Sequence, residues 1–377
     1  MRVVALSNEF GQELFGGAGT AATGMLRTLA SAGVQVTVVV PGDESAGPRR
    51  IQATEQLRVL SVPRRHPYFG ALGMVDAERV LSEFPELCGL WDLIHIQAIN
   101  FAPMAQRLAA RQIPLLYSVY SLLRDDLDDD GHPDLRAQFA VQDQLLLKAQ
   151  VIHLISESQR TRLAGYLPEC SSRVRVVPLG ISWPAGPSWH GMDSGSFLYV
   201  GRLIYHKGVE DLLRAFHLLK QEGRIYPLDI VGKGPDYYEE RLSFLVRNWQ
   251  LGAQVNFRGW APGAGDIRQW MERSRALVMP SHREAFGLVA LEGMATGIPL
   301  IASQSGGLAE LVDRTTALVF PAGDCGQLAA HLHRAMGNPV LCARLAERAH
   351  ARAQTLRWEQ LVDPYLHLYR FSMNDAR

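Results

Sequence analysis

The stretch that decides the fold lies at residues 281–299 and has the sequence SHREAFGLVALEGMATGIP. Two carboxylates, Glu284 and Glu292, stand eight residues apart within it. The apolar run at 298–302 that follows predicts a buried strand. A helix that leads directly into such a strand is typical of a parallel sheet covered by helices.

We expect this helix to begin at Phe286, Gly287 and Leu288. The first N–H groups of a helix lack intrahelical partners and lie at the positive end of its dipole, so they attract anions. Glu284, just before the helix, would repel a phosphate unless it faced neutral hydroxyls. Glu292, about two turns along, could accept hydrogen bonds from a ribose. A ligand with a phosphate between two groups of hydroxyls has the chemical pattern of a nucleotide-sugar.

Length and composition indicate a two-domain globular protein. The chain has 377 residues, of which 47% are hydrophobic and 20% charged. Lys+Arg and Asp+Glu both number 38, which argues against a nucleic-acid partner held by bulk charge. The four cysteines form no C-x-x-C pair, so we expect neither a metal site nor a disulfide framework.

Scattered thiols suit a reducing compartment, and we expect a cytoplasmic protein. The apolar run at the amino terminus is too short for a signal peptide. No run of 18 apolar residues occurs in the sequence, so we expect no integral membrane segment.

Strand-like runs alternate with helical patterns along both halves of the chain, which predicts two doubly wound α/β domains. A helix is expected at 18–32, with Gly33 as its stop. The expected strands are 3–6, 34–40, 93–96, 115–119 and 151–155 in the first half, and 197–200, 228–231, 255–257, 276–279, 300–302 and 317–320 in the second.

The domain boundary is expected in the stretch 183–191, which is rich in Pro and Gly and has no periodicity. It separates an amino-terminal domain, 1–182, from a carboxyl-terminal domain, 195–357. The last helix, 358–377, should pack back onto the first domain and contain a kink at Pro364.

The stretch 281–299 resembles the E-x7-E signature of retaining glycosyltransferases of family 4, and the resemblance extends over most of the chain. It implies an α/β fold of the GT-B type, with two Rossmann-like domains facing a central cleft. The first domain would lie on the acceptor side, and the second would bind a nucleotide-sugar. We expect the site in the cleft, because ligands of such sheets bind at the carboxyl ends of the strands.

The sequence GRLIYHKG at 201–208 resembles the G-R-x4-K-G motif of this family. Arg202 could bind phosphate oxygens through two N–H groups, and Lys207 could supply a point charge. Fixed cations at a departing diphosphate stabilise its growing charge and can replace a metal. The resemblance therefore implies that these residues act in catalysis together with Glu284, and that no metal or other cofactor is needed.

Further motifs resemble the parts of the family that contact the nucleotide. Gly16 and Gly17 stand where the family has a Gly-Gly turn at the sugar donor's diphosphate. Gly232 and Lys233 belong to a G-x-G-P turn near the nucleotide, and Arg258 to the strand end beside the base. Ordinary strand-to-helix turns would explain the last two motifs equally well.

The sequence departs from the family after the strand at 115–119. A histidine usually stands there near the donor sugar, but this chain has Tyr120, and its upstream H-x-H-like pattern is His95-Ile96-Gln97. Tyr120 could donate a hydrogen bond to the sugar, or it could be a packing residue in a degenerate site. The acidic run at 125–130 is expected to be a solvated loop, although it could bind a cationic acceptor such as an amino sugar or an aminocyclitol.

Together these features predict a retaining glycosyltransferase of the hexosyltransferase type. It would move a sugar from a nucleotide-sugar, UDP more readily than GDP, to a hydroxyl of a small molecule or glycan. Two alternatives remain open: a nucleotide-sugar-binding regulatory protein without transfer activity, and a sugar-nucleotide epimerase on the same fold.

Overall fold

The computed structural model describes residues 1–11, 16–70, 73–126, 133–183, 186–190, 195–261 and 264–374. The chain forms two compact units. Unit 1 consists of Met1–Gly180 together with Trp358–Arg377, and unit 2 of Ile181–Arg357.

Unit 1 is built on an eight-stranded sheet with the order β3-β4-β2-β1-β5-β6-β7-β8. Every neighbouring pair is parallel except β3 and β4, which are antiparallel. The strands are β1 Arg2–Leu6, β2 Gln35–Gly42, β3 Arg49–Gln52, β4 Leu57–Pro63, β5 Leu93–Ile96, β6 Leu115–Val119, β7 Val151–Leu154 and β8 Val174–Val176. The sequence did not predict β3, β4 or β8.

Helices cover this sheet, and the residues of β5, β6 and β7 are all buried, as expected of parallel strands that are packed on both faces. The first helix ends close to the expected stop, because Gly33 takes a φ of +89°. The helices are α1 Gly17–Ser31, α2 Ala77–Glu83, α3 Ala102–Ala109, α4 Leu123–Asp126, α5 Pro133–Lys148 and α6 Glu157–Tyr166.

Unit 2 has a fully parallel six-stranded sheet with the order β11-β10-β9-β12-β13-β14. The strands are β9 Phe197–Val200, β10 Leu228–Val231, β11 Val255–Gly259, β12 Ala276–Met279, β13 Leu300–Gln304 and β14 Leu318–Pro321. Numbered from the start of the unit, this order is 3-2-1-4-5-6, the arrangement of a dinucleotide-binding fold. The predicted Rossmann-like α/β architecture is therefore confirmed.

The helices of unit 2 lie between successive strands or after the last one. They are α7 Val209–Gln221, α8 Asp236–Asn248, α9 Ala264–Arg273, α10 Leu288–Thr296, α11 Leu308–Leu311, α12 Cys325–Gly337 and α13 Pro339–Gln354. The final helix, α14 Trp358–Asn374, belongs to unit 1, packs against α1 and contains Pro364.

Candidate functional site

The carboxyl ends of β9 and β12 lie side by side in unit 2, because the two strands pair in parallel. The strand order reverses between them. We call residues 201–208 the β9 loop and residues 280–287 the β12 loop. Ligands of doubly wound sheets bind at such a reversal, outside the carboxyl ends of the strands.

Lys207 of the β9 loop and Glu284 of the β12 loop contact each other directly. The Lys207 Nζ donates to Glu284 Oε2 at 2.8 Å, and the two side chains are 18% and 12% exposed. An ion pair this far from bulk water is screened less than a surface pair. The sequence assigned these residues to the diphosphate and the sugar separately, whereas the structure shows them in one site.

Backbone contacts hold the two loops together. The carbonyl oxygen of His206 accepts from the N–H groups of His282 at 2.8 Å and Arg283 at 3.3 Å. Gly208 takes a φ of +70°, and a Cβ there would lie 2.0 Å from the Pro280 carbonyl oxygen. Glycine is therefore required for the loops to approach this closely.

Glu284 is supported from the side of β13. Its carbonyl oxygen accepts from Gly307 N at 2.8 Å, and Gly306 takes a φ of +49° where a Cβ would lie 2.3 Å from that same oxygen. The Ser281 hydroxyl donates to Glu284 Oε2 at 3.4 Å, and Ser303 Oγ donates to the Ser281 carbonyl at 2.6 Å. These contacts hold the Glu284 backbone and carboxylate in place from β13 and from Ser281.

Helix α10 begins at Leu288, within the stretch Phe286–Leu288 that the sequence predicted. Gly287 precedes Leu288 with a φ of +96°, and no side chain caps this end. The N–H groups at Phe286–Leu288 therefore lie at the positive end of a helix, next to a Lys–Glu pair. Their expected role at sugar and phosphate stays a prediction.

Glu292 lies on α10, about two turns from its start. It is 5% exposed, and burial raises the pKa of its carboxyl from the ordinary 4.5 to about 8. A buried carboxyl with such a raised pKa is a candidate for a functional role. Its expected contact with ribose stays a prediction.

The turn after β10 packs against the β9 loop. Leu203 N donates to the Lys233 carbonyl at 2.8 Å, and a Cβ on Gly232 would lie 1.8 Å from the Gly201 carbonyl oxygen. Arg202 and Lys233 are exposed. The structure thus brings the G-x-G-P turn and the G-R-x4-K-G motif into one loop cluster, and their expected contact with the nucleotide stays a prediction.

Positive charge gathers around these loops. Burial, together with the neighbouring Lys207, Arg202 and Arg283, lowers the pKa of His206 to about 4. His206 is therefore neutral at pH 7. Three cations around a neutral imidazole form a suitable environment for an anionic diphosphate.

A pocket of about 180 Å³ lies at the carboxyl ends of β10 and β11. Arg258 borders it and bonds Asp229 Oδ1 through Nε at 2.6 Å. Arg273 stacks on the Trp270 ring, with 3.8 Å between its Cζ and the ring centroid. The lining residues are Val231, Arg258, Gly259, Trp260, Ala261, Asp266, Gln269, Trp270 and Arg273. Two indole rings beside guanidinium groups can accept a flat aromatic ligand.

In unit 1, Gly16 and Gly17 stand at the start of α1, where no side chain caps the helix. This start is compatible with anion binding. The preceding residues 12–15 lie outside the described ranges, so the role of both glycines stays a prediction.

Tyr120 does not present its hydroxyl to solvent. The oxygen is buried and has no hydrogen-bond partner among the described residues, and it lies near Tyr365 and Tyr369 of α14, whose pKa values it helps to raise. His95 bonds Tyr369 at 2.7 Å within this buried cluster, and Gln97 is 8% exposed. This geometry opposes the predicted sugar contact and favours the packing alternative.

The acidic run is mostly outside the described residues, since only the backbone of Asp125 and Asp126, at the end of α4, is described. Within the described part of the chain, no three His, Cys, Asp or Glu residues are arranged to hold a metal ion. No helix in the described ranges has the length and apolarity to cross a membrane.

Sequence reasoning missed two features of unit 2. Trp270 lines the pocket but belongs to no recognisable motif. A tryptophan within a helix such as α9 would ordinarily be interpreted as a core residue. Asp211 and His282 form a pair across 71 residues of sequence, so no local spacing pointed to it.

Both units of the chain match glycosyltransferase family models. A model of "Glycosyl transferases group 1" matches residues 190–352, and a model of a "Glycosyl transferase 4-like domain" matches residues 16–180. The D-inositol 3-phosphate glycosyltransferase of Nocardiopsis dassonvillei is 26% identical over 380 residues, covering 91% of this chain and 87% of that protein.

Solved structures show the same fold over the whole chain. Sucrose-phosphate synthase from Thermosynechococcus elongatus has a TM-score of 0.77 and 23% identity, covering 98% of each chain. The Anabaena protein HepE in complex with UDP has a TM-score of 0.72 and 17% identity, covering 98% of this chain and 100% of that one. With one glycosyltransferase model matching each unit, the chain is a glycosyltransferase of the GT-B type.

Proposed function

We propose that this glycosyltransferase is a retaining, family 4 enzyme that uses a nucleotide-sugar without a metal. Lys207 and Arg202 would hold the diphosphate, Glu284 the hydroxyls of the donor sugar, and Glu292 the ribose. The observation that carries the proposal is the Lys207–Glu284 pair, 2.8 Å apart beside the uncapped start of α10. A fixed cation beside a carboxylate supports a site in which a phosphate and a sugar hydroxyl lie next to each other.

The proposed chemistry is a retaining transfer at the anomeric carbon. The bond between the anomeric carbon and the diphosphate oxygen breaks, and the acceptor oxygen bonds the same face of that carbon. The acceptor proton passes to the departing diphosphate, so the protein need not supply a base. Negative charge grows on the diphosphate in the transition state, where Lys207 and the α10 N–H groups stabilise it.

The pocket at β10 and β11 supports a site for the base, with Trp260 or Trp270 against its face. We propose UDP as the nucleotide, in keeping with the UDP complex of the structurally similar HepE. The acceptor would be a hydroxyl of a small molecule or glycan. The similarity to a D-inositol 3-phosphate glycosyltransferase favours a cyclitol or sugar phosphate over the cationic acceptor that the acidic run suggested.

The test is to incubate the purified protein with UDP-glucose, UDP-N-acetylglucosamine and GDP-mannose, each with and without inositol phosphate, and to follow products by mass spectrometry. We expect UDP release that depends on Lys207. Lys220→Ala is the matched control, because this lysine bonds the carbonyls of Trp249 and Gln250 on another part of unit 2. Proton NMR of the product should show the anomeric configuration of the donor, and an inverted product would contradict the retaining mechanism.

A further inference from the structure

Asp211 and His282 form a close pair beside the candidate site. His282 Nε2 lies 2.5 Å from Asp211 Oδ2, and the side chains are 29% and 21% exposed. Asp211 stands in the first turn of α7, which starts directly after Lys207 and Gly208. His282 stands two residues before Glu284. The pair therefore joins the helix that follows the lysine to the loop that carries the carboxylate.

Both members of the pair are also held by other contacts. Asp211 Oδ1 accepts from Cys325 Sγ, the first residue of α12, at 3.5 Å. The His282 ring lies 5.5 Å from the Tyr205 ring, and its backbone N–H donates to the His206 carbonyl at 2.8 Å. The imidazole is thus oriented by Asp211 and Tyr205, and the His282 backbone is held by His206. Through its Nε2 bond to Asp211, the imidazole links the β12 loop to helix α7.

We infer that Asp211 and His282 are positioning residues for the sugar-donor site. Their bond sets the distance between the β9 and β12 loops, and with it the placement of Lys207 against Glu284. A displacement of about 1 Å in catalytic groups can cost on the order of 100-fold in rate. This inference rests on the proposed function for its kinetic consequence, while its structural part stands on the contacts alone.

The neighbouring Glu210 provides a matched control. It lies in the same first turn of α7, its side chain is 20% exposed against 21% for Asp211, and it bonds Arg241 of α8 instead of the β12 loop. Glu210→Ala removes one acidic side chain and one ion pair from the helix start, as Asp211→Ala does. A difference between the two variants therefore reports the contact with His282.

The experiment compares Asp211→Ala, His282→Leu and Glu210→Ala with the wild type by hydrogen exchange and by steady-state kinetics with a UDP-sugar. We expect the amides of residues 281–287 to exchange about tenfold faster in the first two variants than in the control. We expect kcat to fall by about tenfold with a smaller change in KM, since the lost placement matters most in the transition state. His282→Gln, which keeps an N–H that can reach Asp211, should restore most of both.

Equal exchange and equal kcat in Asp211→Ala and Glu210→Ala would overturn the inference, whatever their melting temperatures. If Asp211→Ala does not fold, the variants Asp211→Asn and His282→Gln serve instead. Each keeps a hydrogen-bonding partner and should behave as the wild type. Slow turnover in these folded variants would also overturn the inference. Faster exchange in a protein that transfers no sugar would instead refute the proposed function and leave the positioning role intact.

Discussion

Glu292→Gln should stabilise the protein while weakening the sugar donor's binding. Glu292 is 5% exposed, and burial raises the pKa of its carboxyl to about 8 from 4.5. Because the folded-state pKa lies above the unfolded value, the folded protein binds more protons between pH 4.5 and 8, and stability falls as pH rises through this window. The loss is complete above pH 8.

The magnitude follows from the shift. One pKa unit corresponds to about 1.4 kcal/mol. Relative to its value below pH 4.5, the free energy of unfolding is therefore lower by about 3 kcal/mol at pH 7, where Glu292 ionises mainly in the unfolded chain, and by about 5 kcal/mol above pH 8. Glutamine has nearly the same shape and cannot ionise. We therefore expect the variant to melt roughly 5–10 °C higher at pH 7, and to match the wild type near pH 4.

The assay is thermal unfolding of both proteins from pH 4 to pH 9, with Glu347→Gln as the control because Glu347 is exposed on α13. Donor titrations in parallel should give a raised KM for Glu292→Gln, since ribose contacts are similar in ground and transition states. A Gln variant that melts lower at pH 8, or that keeps the wild-type pH slope, would refute the reasoning. A lost kcat at unchanged KM would move Glu292 to the reacting centre.

Three further predictions concern the site and its surroundings. Lys207→Ala should lower kcat by about 100-fold or more with the fold intact, because it removes the charge that stabilises the leaving diphosphate; steady-state kinetics and a melting curve check both parts. Transfer should persist in EDTA, because Arg202 and Lys207 supply the positive charge, and a loss restored by magnesium or manganese would point to a metal. Tyr120→Phe should raise the free energy of unfolding by about 1 kcal/mol, because it removes a buried hydroxyl without a partner among the described residues; a fall in kcat/KM at unchanged stability would support the sugar contact instead.

Strands that form short, continuous apolar runs could be predicted from the sequence, whereas β3 and β8, the edge strands of the first sheet, could not. β5, β9 and β12 are short, continuous apolar runs because helices cover both faces of a parallel sheet. In β3 all four side chains are exposed, so its sequence carries no hydrophobic period. β8 has only three residues, which is too short a window for any pattern.

The site was predictable where one motif follows one strand, and not where distant residues meet. Lys207 and Glu284 could each be assigned from its own loop, but their 2.8 Å contact depends on the pairing of β9 with β12. The contact between Asp211 and His282 also depends on β9 lying next to β12. The sequence could not decide between the two roles of Tyr120, because its surroundings come from α14, more than 200 residues later in the chain, and no local pattern reports that contact.

The most direct test of the account is calorimetric titration of UDP into the wild type, Lys207→Ala and Lys220→Ala, all in EDTA. The account predicts that the wild type and Lys220→Ala bind UDP with equal affinity, and that Lys207→Ala binds at least tenfold more weakly, since an ion pair with phosphate is worth about 1.5–3 kcal/mol. Equal UDP affinity in Lys207→Ala and the wild type, or no binding to the wild type until a divalent metal is added, would contradict it.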